Sequence, residues 1–165
     1  MRCAAMIVAV GIGLGGNAHA QAEPAGWTEA QSLRELPAGI QALLGVGLGV
    51  AGIADRGENF NETGAGDDST PRRRFVLGVV HGDTAMVALE QGGRLYGVRA
   101  VEFKQAGATW DAVRCAPMDA VPRRGTELVG ALSGRTAGPC GAGGIRTGEP
   151  AALSEPARVR PRPGA

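Results

Sequence analysis

The chain has 165 residues, of which 44% are hydrophobic and 20% charged, and its formal net charge is +1. This length is sufficient for one domain with a modest core. A net charge so close to zero excludes a general electrostatic attraction to nucleic acid or to an anionic membrane. We therefore predict no nucleic-acid partner.

The first twenty residues have the features of a cleavable signal peptide. Arg2 supplies a positive charge, and residues 4–16 form an uncharged stretch, shorter than the roughly 20 apolar residues that span a bilayer. Ala18-His19-Ala20 then gives the small-x-small pattern of a cleavage site. We predict a mature protein that begins at Gln21, is periplasmic or secreted, and has no integral membrane segment. A buried N-terminal helix is the alternative, but the glycines between positions 11 and 16 disfavour it.

The mature chain begins with a short polar lead, Gln21 to Gln31, and its first predicted element is a helix. Proline is tolerated in the first turn of a helix, so the helix should begin near Pro37 and end at about Leu44. Apolar residues fall on one face at helical spacing within it. Residues 48–54 are then predicted to form a first strand.

The segment from Asp55 to Thr70 is rich in acidic, amide and glycine residues and is predicted to be a long polar loop. A loop of about 15 residues indicates either function or disorder. We take it as the candidate ligand-binding segment, with the site residues Asp55, Arg56, Glu58, Asn59 and Asn61.

A metal site in this loop is an alternative that the sequence does not favour. Asn59, Asn61, Thr63, Gly64 and Asp67 stand at positions 1, 3, 5, 6 and 9 of a calcium-loop spacing. Thr70 occupies position 12, where a bidentate glutamate should close the site. We therefore predict a solvated loop with no metal. Asn61-Glu62-Thr63 also matches a glycosylation sequon.

An antiparallel sheet follows the polar loop. Strands with alternating apolar residues are separated by turns of two to four residues, which are too short for parallel crossovers. The predicted strands are 75–80, 84–90, 95–104 and 109–115. With the helix on one face, they predict an α+β fold: one short N-terminal helix packed on a four- to five-stranded antiparallel meander.

The composition changes at Asp119. The last segment, 119–165, has no aromatic residue and is rich in proline, glycine and arginine. Because it offers little apolar surface to offset the entropy of ordering, we predict a disordered tail. The predicted organisation is thus a signal peptide at 1–20, a compact α+β domain at 21–118 and the tail, in which residues 121–132 could add one marginal strand or turn.

No convergent catalytic set is evident, so we predict no catalytic residue and no cofactor. His81 stands at a predicted hairpin tip, where a lone histidine is more often solvated than catalytic. Cys115 could act as a nucleophile with His81 and Asp83, but no flanking sequence supports this. Cys115 and Cys140 could form a disulfide in an oxidising compartment or stay free.

Other charged groups are predicted to be solvated. Glu90 and Glu102 fall at outward positions of their strands, which favours solvent exposure over a catalytic carboxylate pair. The run Arg72-Arg73-Arg74 could bind a phosphate or an acidic partner. Local ion pairs with Asp67 and Asp68 are the more favoured interpretation.

Parts of the chain resemble a known group of proteins. The segments that carry the resemblance are Leu36-Pro37, 53–57 (Ile-Ala-Asp-Arg-Gly), 60–63 (Phe-Asn-Glu-Thr), 71–75 (Pro-Arg-Arg-Arg-Phe), Glu90-x-Gly92-Gly93 and Trp110. Over roughly residues 33–115 the chain resembles uncharacterised small exported proteins of proteobacteria, to which no activity is assigned. The resemblance implies bacterial export and one compact domain, and it implies no mechanism.

These observations favour an exported, non-enzymatic binding or interaction module. Its partner would be an envelope protein or a small ligand, bound through the polar loop or a sheet edge. Two alternatives stay open: a small secreted hydrolase built from Asp55, Arg56 and Glu58, and a structural envelope protein that assembles through exposed strand edges.

Overall fold

The computed structural model describes residues 26–64, 69–93, 95–134 and 136–140. The predicted signal peptide lies outside these ranges, as does the tail beyond Cys140. The described residues form one five-stranded sheet in the order β1-β2-β3-β4-β5, with every neighbouring pair antiparallel. The strands are β1 (Thr28–Ala30), β2 (Arg73–His81), β3 (Thr84–Gln91), β4 (Gly97–Ala106) and β5 (Thr109–Met118).

The predicted antiparallel meander is therefore confirmed, and the structure adds a short edge strand. β2 and β3 are joined by a tight hairpin in which His81 pairs with Thr84, and Gly82 adopts a φ of 57°. A positive φ is available to glycine at little cost, which is why the chain can reverse there. β1 pairs Thr28 with Val80. The sequence did not predict it because three residues are too few to show an alternating pattern.

The first face of the sheet is covered by the N-terminal part of the chain. Helix α1 (Ala38–Leu44) begins after Pro37 and ends at Gly45, whose φ of 80° allows the backbone to leave the helix. Ile40 and Leu44 are fully buried against this face. The core here also contains Leu33, Leu36, Ile53, Phe75, Val87, Val101, Phe103 and Trp110.

The second face is covered by helix α2 (Gly125–Ser133), in a segment that the sequence analysis predicted to be disordered. Leu128 and Leu132, four residues apart, lie on one side of the helix and are fully buried. They join a core whose sheet residues include Val79, Met86, Ala88, Ala100 and Ala116. The small alanines let the helix lie close to the strands. This complementarity between distant segments cannot be read from the local composition.

The N-terminus of α2 is held by a side chain from the opposite end of the sequence. The Gly125 N–H donates a hydrogen bond of 3.0 Å to Glu29 Oε2 of β1. A carboxylate at this position is stabilising because the first turn of a helix has unpaired N–H groups and the positive end of the helix dipole. This contact joins residues 96 positions apart, and it fixes α2 against the β1 edge.

The strand predicted at residues 48–54 is wrong. The chain forms a 3₁₀ turn at Gly49–Ala51, and only Ala54 forms a bridge, with Arg74. Gly47 and Gly49 have φ values of 84° and 56°, which lie outside the strand region. The turn brings the chain back to β2, where the polar loop begins.

Candidate binding site

The start of the polar loop is fixed by Asp55. Its carboxylate accepts hydrogen bonds from Ser32 Oγ at 2.7 Å and from the Leu33 N–H at 2.9 Å. Burial opposes ionisation of this carboxyl, but the hydrogen bonds from Ser32, Leu33 and Arg56 lower its pKa below the ordinary value. The Asp55 carboxylate therefore serves as an internal connection between the loop and the chain that precedes α1.

The next three predicted site residues point to solvent from the same turn. The Asp55 N–H donates to Glu58 Oε2 at 2.7 Å, and Arg56, Glu58 and Asn59 are exposed. The hydrolase hypothesis requires Asp55, Arg56 and Glu58 to converge in a cavity. The structure places them on a surface turn, where Glu58 closes the turn by binding backbone.

Asn61 is buried where the polar loop meets the connection between β3 and β4. Its Oδ1 accepts a hydrogen bond of 2.8 Å from the Gly64 N–H within the loop, and because the residue is only 8% exposed, the sequon is not presented to solvent. The Gly93 N–H donates to the Glu62 carbonyl at 3.0 Å. At Gly92 the two backbones are so close that a Cβ would lie 2.0 Å from the Asn61 carbonyl oxygen.

A cluster of charged and aromatic side chains lies beneath this junction. Arg74 Nε donates to Glu90 Oε2 at 2.7 Å, and the Tyr96 hydroxyl donates to Glu90 Oε1 at 2.6 Å. The guanidinium of Arg74 also lies 4.3 Å from the centre of the Phe60 ring, a cation–π contact. Arg74 thus links the polar loop to the sheet, because it contacts Phe60 of the loop and Glu90 of β3.

The prediction that Glu90 and Glu102 are solvated is wrong. They are only 5% and 4% exposed, and each forms an ion pair with an arginine of a neighbouring strand, Arg74 for Glu90 and Arg114 for Glu102. The alternation of the strands places both on the second face. That face is covered by other parts of the chain, so an outward position there is not a solvated one.

The two glutamates do not form a catalytic pair. Glu90 is opposite Val98, whereas Glu102 is opposite Met86 on the same strand as Glu90. The separation along the strand is four residues, or roughly 13 Å. Lys104 Nζ, which lies 3.9 Å from Glu102, donates instead to Thr84 Oγ1 at 2.6 Å. The Glu102 group is therefore a separate network that stabilises the far end of the sheet.

The pKa values of the Arg74 cluster follow from its geometry. Burial opposes ionisation of Glu90, but the hydrogen bonds from Arg74 and Tyr96 keep its pKa below the ordinary value. For Arg74, the hydrogen bond to Glu90 raises the pKa. Burial, together with the hydrogen bond to Glu90, raises the pKa of Tyr96 to about 12. Groups with perturbed pKa values are concentrated at functional sites more often than elsewhere.

Tyr96 is the single tyrosine of the chain, so its ionisation can be followed directly by the ultraviolet absorbance of the phenolate. We expect a midpoint of about 12 in the folded protein. In Glu90→Gln, which keeps an acceptor but removes the charge, the midpoint should move toward 10.0. Because the folded-state pKa is raised, the contribution of this bond to stability is present below pH 10 and is lost as the pH rises toward 12. A wild-type midpoint near 10 would contradict the described contact.

Tyr96 of the cluster and its chain neighbour Leu95 are both exposed. Leu95 is 89% exposed and Tyr96 is 44% exposed, and both lie in the connection between β3 and β4, to which the polar loop is anchored. We call Phe60, Arg74 and Tyr96, together with Leu95, which precedes Tyr96 in the chain, the platform. Tyr96 and Leu95 were not among the site residues predicted from the sequence. Their proximity to the polar loop follows from the strand register, which local patterns do not give.

The remaining catalytic candidates are far apart. His81 is at the end of β2, with its ring centre 5.5 Å from that of Trp27, whereas Cys115 lies three strands away on β5. The Cys115 sulfur is bonded to Cys140. Cys115 therefore cannot act as a thiol nucleophile in this structure, and His81 is too distant to be its base.

Arg73 and Arg74 of the arginine run contact different parts of the protein. Arg73 Nη2 donates to the carbonyls of Leu44 and Gly52, both at 3.3 Å, and so connects β2 to the end of α1. Arg74 belongs to the platform. Asp67 and Asp68, the predicted local partners of this run, lie outside the described residues.

Within the described ranges, no group of three or more His, Cys, Asp or Glu side chains is arranged to hold a metal ion. In the same part of the chain, no helix has the length and apolar character needed to cross a membrane. No protein-family model matches the chain, and no curated protein or solved structure shows significant similarity to it. The described residues form an antiparallel five-stranded sheet with two α-helices.

Proposed function

We propose that this protein is an exported, non-enzymatic binding module and that the platform is where it contacts a protein partner. The observation that carries the proposal is the exposed pair Leu95 and Tyr96, which lie in a connection that is hydrogen-bonded to the polar loop. Tyrosine and arginine are enriched among interface hot spots, and the exposed leucine that precedes Tyr96 adds apolar surface.

Preorganisation is the second support. The polar loop is connected to Pro71, just before β2, by the Asn61 N–H at 2.8 Å, and to the β3–β4 connection by the bond from Gly93 N–H to Glu62 O at 3.0 Å. The Arg74–Phe60 contact holds the loop from below. A surface that is already ordered loses little conformational entropy when a partner binds, which favours affinity.

Export is supported by two independent features. The leader at 1–20 has the pattern of a signal peptide, and a disulfide between Cys115 and Cys140 is typical of an oxidising compartment. The proposed location is the periplasm or the cell exterior. The resemblance to small exported proteobacterial proteins agrees with this proposal.

Site-specific photo-crosslinking tests the platform. A photoreactive residue at Leu95 of the full-length chain, expressed with its leader in a proteobacterium, should give a discrete protein adduct in the envelope or periplasmic fraction. The matched control carries the same residue at Leu48, which is exposed but outside the platform. Adding Tyr96→Ala to the chain that carries the photoreactive residue at position 95 should reduce the adduct by about tenfold or more, as is typical for a hot-spot residue.

Other outcomes of this experiment would contradict the proposal. Equal adducts from positions 95 and 48 would indicate non-specific contact, and no adduct at either would leave the platform without a protein partner. An adduct with a second copy of the chain would instead support the structural envelope role. Recovery of the intact chain, with Met1 attached, from the cytosol would contradict export.

A further inference from the structure

The segment between Cys115 and Cys140 crosses from the first face of the sheet to the second and then returns to the first. Cys115 of β5 and Cys140 both pack against the core of the first face. Between them in sequence, α2 covers the second face through Leu128 and Leu132. The chain that follows α2 must therefore return around the outer edge of β5. The disulfide closes this path into a covalent loop with a sequence separation of 25.

The non-covalent attachment of the returning segment is small. Gly138 pairs with Cys115 through two backbone hydrogen bonds of 2.8 and 3.0 Å, and this is one isolated bridge. Residues 136–140 are Thr, Ala, Gly, Pro and Cys, which bury little apolar surface. The disulfide is the covalent attachment of this segment to β5. The non-covalent attachments are the bridge and the packing of Ala137 and Cys140 against the two cores.

We infer that the Cys115–Cys140 disulfide is a redox-controlled clasp for α2. A dithiol reductant transfers two electrons and two protons to the disulfide; the S–S bond breaks, both cysteines become thiols, and the dithiol is oxidised to its own disulfide. Both cysteines are only partly buried, so this exchange does not require prior unfolding.

Opening the clasp leaves α2 with fewer restraints at its C-terminal end. The contacts that remain include the packing of Leu128, Val129, Ala131 and Leu132 against the second-face core, the hydrogen bond of Gly125 to Glu29, and the Gly138 bridge to Cys115. The strands of the sheet keep all of their ladder pairings. Reduction should therefore allow α2 to separate from the sheet while β3 stays folded, which exposes the alanine-rich second face. This inference does not depend on the platform or its partner.

Hydrogen exchange of the full-length chain tests the clasp. In the oxidised protein, the amides of α2 and of the central strand β3 should have similar protection, because they open in one cooperative event. After dithiothreitol treatment, the protection of α2 should fall by about tenfold or more relative to that of β3, which marks a local opening. Removing the dithiol under air should restore the ratio.

The double variant Cys115→Ser/Cys140→Ser should reproduce the reduced state without any reductant. Cys3→Ser, which replaces the one cysteine of the chain outside the disulfide, is the matched control and should behave as wild type. An α2-to-β3 protection ratio that is the same in both redox states would overturn the inference. The ratio would also stay the same if reduction unfolded the whole domain at once. In that case the disulfide would stabilise the entire fold and not α2 in particular, which likewise overturns the inference.

Discussion

Gly92→Ala is expected to lower the free energy of unfolding by about 3 kcal/mol, at the upper end of the cost of overpacking. A Cβ at this position would lie 2.0 Å from the Asn61 carbonyl oxygen and 2.8 Å from Glu62 Cα. Both are backbone atoms, so no side-chain rotation can relieve the clash. The polar loop must move away from the β3–β4 connection, which separates Phe60 from the rest of the platform. Chemical denaturation measures the loss.

Gly97→Ala is the matched control for this experiment. Gly97 begins β4, has no positive φ, and has nothing within 4 Å of the site of its Cβ. Alanine there should be neutral or slightly stabilising, because it reduces the entropy of the unfolded chain. The same small effect at Gly92 would contradict the close approach of the two loops. In Gly92→Ala, the pKa of Tyr96 reports whether the Glu90 contact survives the displacement.

Arg74→Met is expected to cost about 2–3 kcal/mol. The methionine retains the apolar stem of arginine but leaves the Glu90 carboxylate, which is 5% exposed, without its cationic partner. The loss should be less than that of a fully buried pair because the Arg74 side chain retains 28% exposure. Arg74→Met/Glu90→Leu should recover much of the stability, since replacing both partners removes the unpaired charge.

The dependence on pH distinguishes a lost charge pair from a simple packing defect. In the wild type the pKa of Glu90 is lowered, so its stabilisation is present above the ordinary value of 4.5 and is lost as the pH falls through the folded-state pKa. In Arg74→Met, burial should raise the pKa of Glu90 instead, so the variant gains relative to the wild type on acidification. The difference in stability between the two should therefore narrow as the pH falls from the raised pKa of Glu90 in the variant, above 4.5, to its lowered pKa in the wild type, below 4.5. A constant difference would contradict the electrostatic explanation.

Several features of the fold follow from local sequence. The helix at 38–44 can be predicted from the proline before it, the glycine after it, and the spacing of Ile40 and Leu44. The four main strands are segments with apolar residues at alternate positions or in continuous runs, and the glycines at the turns permit antiparallel connections. These are short-range properties, so a short stretch of consecutive residues contains the information.

The candidate site is different, because its members are brought together by register. Asp55 and Asn61 belong to the predicted loop, but the structure uses them to hold it in place. Tyr96, Glu90 and Arg74 come from three strands or their connections and meet only because β2, β3 and β4 pair as they do. A local pattern shows which residues share a face but not which neighbour stands opposite.

The sequence by itself determined the antiparallel order of the main strands and the first helix, because each depends on neighbouring residues. Only the tertiary structure decided that Glu90 and Glu102 are buried and that α2 is ordered. Alternation assigns a side chain to a face, but whether that face meets water depends on what covers it. Here the cover for the second face is a weakly apolar segment that gains enough burial only when Leu128 and Leu132 reach the alanines of the sheet.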